Sequence, residues 1–132
     1  MIMKKYKTVL MIDDNDIDSF VTKKIIEKSG FAKNVMLKKS GIKALEYLRS
    51  NDSSRKSFPD IIFLDLRMPE MDGFKFLDEF EKLNNNAINN CKIVVFSSSI
   101  DTNDYDRVIQ NKFVKKFIRK PISMEMIKGF DF

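Results

Sequence analysis

The chain has 132 residues, of which 43% are hydrophobic, and it carries a formal net charge of +5 with a pI near 9.3. This length and composition predict one domain with its own core, and the single cysteine excludes an internal disulfide. Histidine is absent and the four glycines are isolated, which excludes phosphohistidine chemistry within the chain and phosphate-binding loops of the GxxxxGK and GxGxxG types.

Short apolar runs, rich in Val, Ile, Leu or Phe, alternate with helical patterns along the chain. Five of these runs are strand candidates: 8–12, 35–38, 60–64, 92–96 and 113–118. Apolar residues at three- or four-residue spacing predict the faces of three helices: Ile17, Phe20, Val21 and Ile25; Ile42, Leu45 and Leu48; and Phe74, Leu77 and Phe80.

Start and stop signals support these helices. Gly30 follows the first, Ser40 precedes the second and Asp72 precedes the third, whereas Thr102 precedes a fourth around 105–109. A fifth helix, short, is expected over 123–132. Because near-continuous apolar strands alternate with helices, the pattern predicts an α/β fold with a doubly wound, five-stranded parallel sheet and helices on both faces.

Two polar loops, 51–58 and 84–90, are too short to separate domains, so we expect a single domain over 1–132. No apolar run reaches the length of a membrane-spanning helix, and no cleavable leader follows the basic start. The expected compartment is the cytoplasm. The densest basic run, 112–120, is interleaved with apolar residues, which favours a strand with solvated charges over a site for an acidic partner or nucleic acid.

Polar residues collect where the predicted strands end. Asp13 and Asp14 follow the first strand, Asp65 the third, Ser97 the fourth and Lys120 the fifth. Ligands of open parallel sheets bind outside the carboxyl ends of the strands, so these side chains are expected to share one site.

Three carboxylates crowded at one edge repel each other unless a cation lies among them. Oxygen ligands without histidine or cysteine suit Mg²⁺, and we predict Asp14 and Asp65 as ligands, with the Arg67 carbonyl as a possible third. Lys120 and the Ser97 hydroxyl can then bind phosphoryl oxygens. The set predicts phosphoryl transfer to Asp65.

Each residue also has a structural explanation. Asp13 or Asp14 can cap the following helix, and Asp72 is expected to cap the third. Ser97 can belong to an ordinary polar turn, and Lys120 can extend its charge from a strand end into water. Their joint arrival at one sheet edge favours the functional interpretation.

The chain resembles the receiver domains of bacterial two-component response regulators, of which the chemotaxis regulator is the simplest example. The resemblance covers essentially the whole chain and rests on four motifs: Asp13-Asp14, the DLRMPEMDG stretch of 65–73, Ser97, and Lys120-Pro121. It implies a flavodoxin-like sheet in the order 2-1-3-4-5.

By this resemblance, Asp65 is the phosphoacceptor, Asp13 and Asp14 organise Mg²⁺, Ser97 is the switch hydroxyl and Lys120 contacts the phosphoryl group. The phosphodonor is expected to be a phosphohistidine of a sensor histidine kinase or a histidine phosphotransfer protein, and the readout an unknown downstream protein. The domain is then no enzyme beyond catalysing its own phosphorylation and dephosphorylation.

The resemblance assigns three further roles. Phe117 matches the switch aromatic, although it is equally explained as a core residue of the fifth strand. Arg67 and Ser99 occupy positions that tune the lifetime of the acyl phosphate. The Lys120-Pro121 bond matches the family's cis peptide, although Pro121 can equally be the first residue of the last helix.

Two rival functions come from other classes. A phosphatase of the haloacid dehalogenase type needs a second Asp two residues after its nucleophile, and here Arg67 stands at that position. The second rival is an unphosphorylated interaction module, or a basic nucleic-acid binder, that merely keeps the fold. The intact acidic set argues against the interaction module, and nucleic-acid binding would have to weaken sharply with added salt. Both are less consistent with the sequence than a receiver.

Overall fold

A computed structural model describes residues 6–50, 58–83, 86–98 and 101–130. Strands and helices alternate along it in this order: β1 (Tyr6–Ile12), α1 (Asp16–Lys28), β2 (Ala32–Lys38), α2 (Gly41–Ser50), β3 (Ile61–Asp65), α3 (Gly73–Glu81), a 3₁₀ turn (Asn86–Asn90), β4 (Lys92–Ser97), α4 (Thr102–Ile109), β5 (Val114–Arg119) and α5 (Met124–Lys128). No helix in these ranges combines the length and hydrophobicity needed to cross a membrane.

The five strands form one parallel sheet in the order β2-β1-β3-β4-β5, which confirms the predicted fold class. β3 lies at its centre and is buried along its whole length. Alternate residues of the central strands point to opposite faces, where they meet two separate apolar clusters. Helices α2, α3 and α4 cover one cluster, whereas α1 and α5 cover the other. The carboxyl ends of all five strands therefore meet at one open edge.

The apolar face of α1 is only partly covered by the rest of the protein, since Ile25 packs against the core but three other members lie at the surface. Ile17, Phe20 and Val21 are 77%, 63% and 48% exposed, whereas Ser19 and Thr22 are buried together with Ile26. The Ser19 hydroxyl donates a hydrogen bond to the Asn15 carbonyl at 2.7 Å, so its polar group is satisfied within the helix and can be buried. The helix therefore buries two small polar residues beside Ile26 and leaves part of its apolar strip on the surface.

Helix starts follow capping chemistry, with two corrections. Asn15, and neither Asp13 nor Asp14, caps α1 by accepting the Asp18 N–H at 2.9 Å. Asp101 rather than Thr102 caps α4. The carboxylate of Asp72 caps α3 as predicted, and the hydroxyls of two serines accept N–H groups in the first turns of α2 and α5: Ser40 and Ser123.

Two further expectations are refined near the end of the chain. The last helix spans only Met124–Lys128, because Gly129 ends it, and Phe130 then folds back to pack on Phe31 and Phe63. The bond between Lys120 and Pro121 is cis, as the resemblance implies. The last helix begins at Met124, so Pro121 is not its first residue.

Candidate functional site at the carboxyl edge of the sheet

The predicted residues come together at the carboxyl ends of four strands. Asp13 and Asp14 follow β1, Asp65 ends β3, Ser97 ends β4 and Lys120 follows β5. Asp13 and Ser97 are fully buried and Asp65 is 5% exposed, whereas Asp14 is open to solvent. Because three of these polar residues lie in the interior, the edge is an organised site rather than a set of solvated strand ends.

The Lys120 ammonium contacts three carboxylates, which come from the residue after β1, from α1 and from the end of β3. Its Nζ atom lies 3.2 Å from Asp13 Oδ2, 3.3 Å from Asp65 Oδ2 and 3.1 Å from Asp18 Oδ2. The contact with Asp18 was not predicted from the sequence. The sequence does offer a hint of this contact, because Asp18 comes four residues after Asp14, in the first turn of α1. That end of the helix faces the edge of the sheet where the strands end.

Burial makes Asp65 an unusually weak acid. Removal from water raises the pKa of its carboxyl to about 7, the nearby Lys120 ammonium acts in the opposite direction, and the Asp13 charge adds to the rise. Lys120 shows the reverse balance: burial disfavours its charge, but Asp65 and Asp13 outweigh this effect and raise its pKa. Lys120 therefore stays an ammonium at neutral pH, whereas Asp65 is close to its midpoint.

The donor set fits a hard divalent cation. Carboxylate oxygens of Asp13, Asp14 and Asp65 all lie within 4.8 Å of one another. With Asp18, these are four carboxylates against the one ammonium of Lys120, so the site has an excess of negative charge. Oxygen-only ligands on a partly open edge are what Mg²⁺ and Mn²⁺ prefer.

The loop after Asp65 is held by hydrogen bonds of its backbone N–H groups. The Arg67 N–H donates to Asp65 Oδ1 at 3.2 Å and so orients the Asp65 carboxylate. Further on, Glu70 has a φ of 66°, and the Met71 N–H donates to the Pro69 carbonyl at 2.7 Å. These features define a γ-turn at Glu70, a strained conformation for a residue with a side chain, which sequence patterns did not reveal.

The Arg67 side chain extends toward α4. Its guanidinium pairs with the carboxylate of Asp104 and lies 6.0 Å from the centre of the Phe74 ring, while Arg107 stacks over the same ring at 3.8 Å. The loop after Asp65 is thus connected to α4 through the Arg67 side chain, to which the family resemblance assigns a lifetime-tuning role. Ser99, assigned the same role, lies outside the described residues.

Phe117 lies half-buried on β5 and packs against the larger apolar cluster. Its ring stacks on Tyr105 of α4, with the ring centres 6.1 Å apart and the planes 11° apart. Tyr105 is 44% exposed, so one side of this pair faces solvent. The predicted switch aromatic is therefore neither a fully buried core residue nor free of partners.

Comparison with known proteins agrees with this geometry. A family model described as "Response regulator receiver domain" matches residues 9–129. The polar-differentiation response regulator DivK of Brucella ovis is 28% identical to the chain, with 94% of this chain and 95% of that protein covered. A two-component response regulator from Cytophaga hutchinsonii superposes with a TM-score of 0.84 at 27% identity, over 93% of this chain and 92% of that one. The phosphorylated cyanobacterial phytochrome response regulator RcpA superposes with a TM-score of 0.76 at 26% identity, over 94% of this chain and 90% of that one.

Proposed function

Because the chain belongs to the family of response regulator receiver domains of two-component systems, we propose that Asp65 accepts a phosphoryl group from a phosphohistidine of a partner protein. The observation that carries this proposal is the position of Asp65: a buried carboxylate at the end of the central strand, in contact with Lys120 and beside Asp13 and Asp14. A nucleophilic carboxylate next to one ammonium and two further acids is suited to phosphoryl transfer.

In the proposed step, a carboxylate oxygen of Asp65 attacks the phosphorus atom of the donor. A P–O bond forms as the P–N bond of the phosphohistidine breaks, and the departing imidazole keeps the electron pair. Lys120 neutralises charge on a phosphoryl oxygen, and the Ser97 hydroxyl donates a hydrogen bond to another. The Arg67 N–H keeps the second oxygen of Asp65 in place at 3.2 Å.

The same residues are proposed to hold Mg²⁺. Receiver domains generally bind this ion in an acidic site, and here the ligands are the carboxylates of Asp13, Asp14 and Asp65 with the Arg67 backbone carbonyl. A bound divalent cation supplies positive charge that offsets repulsion between the carboxylates and an incoming phosphoryl group. Asp65 must be deprotonated for both roles, which its pKa of about 7 permits near neutral pH.

Ser97 and Phe117 are proposed as the switch that reports the phosphoryl group. Phe117 of β5 pairs in register with Val95 of β4, two residues before Ser97, so Ser97 and Phe117 lie near each other on adjacent strands. We propose that a shift of the Ser97 hydroxyl toward Asp65 is coupled to a change in the position of the Phe117 ring. The stack of Phe117 on Tyr105 extends this connection to α4. Arg67, paired with Asp104, and Ser99 are proposed to tune the lifetime of the acyl phosphate.

Receiver domains interact with histidine kinases or histidine phosphotransfer proteins, and a protein of one of these classes is the proposed phosphodonor. The absence of histidine from this chain supports a donor in trans. We place the reaction in the cytoplasm and expect an unidentified downstream protein to read the switch. The chain is proposed to catalyse only its own phosphorylation and dephosphorylation, as one domain over 1–132.

Intact-protein mass after incubation with Mg²⁺ and acetyl phosphate tests the proposal. One phosphoryl adduct is expected in the wild type and in Asp78→Asn, which removes an exposed carboxylate from α3. The adduct should be absent from Asp65→Asn and from wild type treated with a chelator. An adduct that persists in Asp65→Asn contradicts the assignment, and sustained hydrolysis of a phosphomonoester supports the phosphatase instead.

A further inference from the structure

We propose that Asp18 is a positioning residue: it holds the Lys120 ammonium beside Asp65 and so sets the rate at which Asp65 takes up a phosphoryl group. The inference rests on the proposed function of Asp65 and adds a residue to it. Its basis is the bond between Asp18 Oδ2 and Lys120 Nζ at 3.1 Å, the shortest of the three carboxylate contacts of that ammonium.

The contacts use the whole bonding capacity of the ammonium. A lysine has three N–H donors, and Lys120 has three carboxylate partners: Asp13, Asp18 and Asp65. Asp13 and Asp65 belong to the cluster proposed to hold the cation, and Asp65 also receives the phosphoryl group. Among the described residues, Asp18 is thus the one carboxylate partner of this ammonium that is proposed neither to hold the cation nor to receive the phosphoryl group.

Asp18 is itself held by the helix start. Its N–H donates to the Asn15 side chain at 2.9 Å, which fixes the first turn of α1 relative to the end of β1. The Lys120 side chain is only 13% exposed, and its ammonium lies 4.9 Å from the centre of the Phe96 ring. Asp18, whose side chain is 44% exposed, contacts this ammonium from a position that is more open to solvent.

Loss of the contact leaves the ammonium room to move. A cavity of about 400 Å³ lies beside it, and its lining includes Asp18, Val21, Lys120 and Pro121. When residue 18 has no carboxylate, the flexible side chain of Lys120 can move into this cavity and away from Asp65. We therefore expect a slower phosphoryl transfer, because the charge that neutralises the phosphoryl oxygens is less often in place.

A general charge effect at the helix start is the alternative, since a carboxylate in the first turn stabilises any helix. Asp16 separates the two explanations. It lies in the same turn of α1 but is 73% exposed and pairs with Lys39 at 2.8 Å instead of Lys120. Asp16→Asn therefore removes one negative charge from the same helix end and leaves the contact between Asp18 and Lys120 in place.

Phosphoryl uptake from acetyl phosphate at saturating Mg²⁺ is measured for wild type, Asp18→Asn, Asp18→Glu and Asp16→Asn. We expect the maximal rate of Asp18→Asn to fall about fivefold to tenfold, in line with the loss of one charge-assisted hydrogen bond at a partly exposed site. Asp18→Glu should recover much of the loss, and Asp16→Asn should stay within about twofold of wild type.

A second readout follows the lysine directly. In ¹H–¹⁵N spectra of the side-chain ammonium groups, a signal that disappears in Lys120→Met identifies Lys120, and we expect it to broaden or vanish in Asp18→Asn but persist in Asp16→Asn. Equal rates and equal lysine signals in the two Asn variants would overturn the inference while leaving the proposed function intact. If the wild type takes up no phosphoryl group, the proposed function itself fails.

Discussion

Replacing Gly73 with alanine tests how tightly the end of β3 is packed against α3. Gly73 begins α3, and its N–H donates to the Leu66 carbonyl at 2.8 Å. A Cβ atom at this position would lie 2.9 Å from the Leu66 Cα, 2.9 Å from the Leu66 Cδ1 and 3.2 Å from the Asp65 carbonyl oxygen. Two of these atoms belong to the backbone of Asp65 and Leu66, so they cannot move aside as the end of a side chain can.

The size of the effect follows from two opposing terms. Forcing an extra methyl group into a packed site costs about 1–3 kcal/mol, whereas Gly→Ala gains about 0.4–1 kcal/mol by restricting the unfolded chain. We expect Gly73→Ala to lower the free energy of unfolding by about 1–2 kcal/mol. For a domain of this size, that corresponds to a fall in Tm of about 4–8 °C. Phosphoryl uptake should slow as well, because the displaced backbone carries Asp65.

Gly129→Ala is the matched control. Gly129 caps α5 at a φ of −83°, and its nearest contact for an added Cβ is the Glu125 carbonyl oxygen at 3.4 Å, an ordinary van der Waals distance. Urea unfolding of the wild type and of each variant gives the change in the free energy of unfolding that each substitution causes. If Gly73→Ala is as stable as Gly129→Ala, then the close approach between α3 and β3 does not carry the energy assigned to it.

Two further predictions concern titrating groups. Because Asp65 has a pKa of about 7 and a proton competes with Mg²⁺ for its carboxylate, apparent Mg²⁺ affinity should fall about tenfold from about pH 8 to about pH 6. Calorimetric titration with Mg²⁺ at several pH values measures this affinity, and Asp65→Asn should show little change with pH. If the affinity of Asp65→Asn depends on pH as strongly as that of the wild type, then Asp65 is not the group responsible. Burial raises the pKa of the Cys91 thiol, so iodoacetamide should label the native protein more than about 100-fold more slowly than the protein in denaturant. Rapid native labelling, followed by mass, contradicts this.

The proposed site could be predicted from the chain because strand ends carry positional information. A short apolar run that ends in Asp65 defines both the strand and the place where its side chain emerges, and the same holds for Asp13 and Ser97. In a parallel sheet, all these ends lie at one edge, so residues far apart in sequence are brought together by topology alone. The family resemblance added the strand order, which the sheet confirms.

The packing of the helices was harder to predict. A spacing of three or four residues shows that a helix has an apolar strip but not that the sheet covers it, and α1 exposes Ile17 and Phe20 while burying Ser19. A serine whose hydroxyl is bonded within its own helix costs little to bury, and its small size allows close contact with the sheet. Sequence periodicity contains neither of these facts.

The amino-acid sequence by itself determined the class of fold and the acidic and basic residues at its carboxyl edge, because alternation of strands and helices and residue order along the chain are local properties. Only the tertiary structure decided which carboxylates share Lys120, since this depends on where α1 lies relative to the end of β5. Burial, which raises the pKa of Asp65 to about 7, is likewise a consequence of packing around the site rather than of the residue itself.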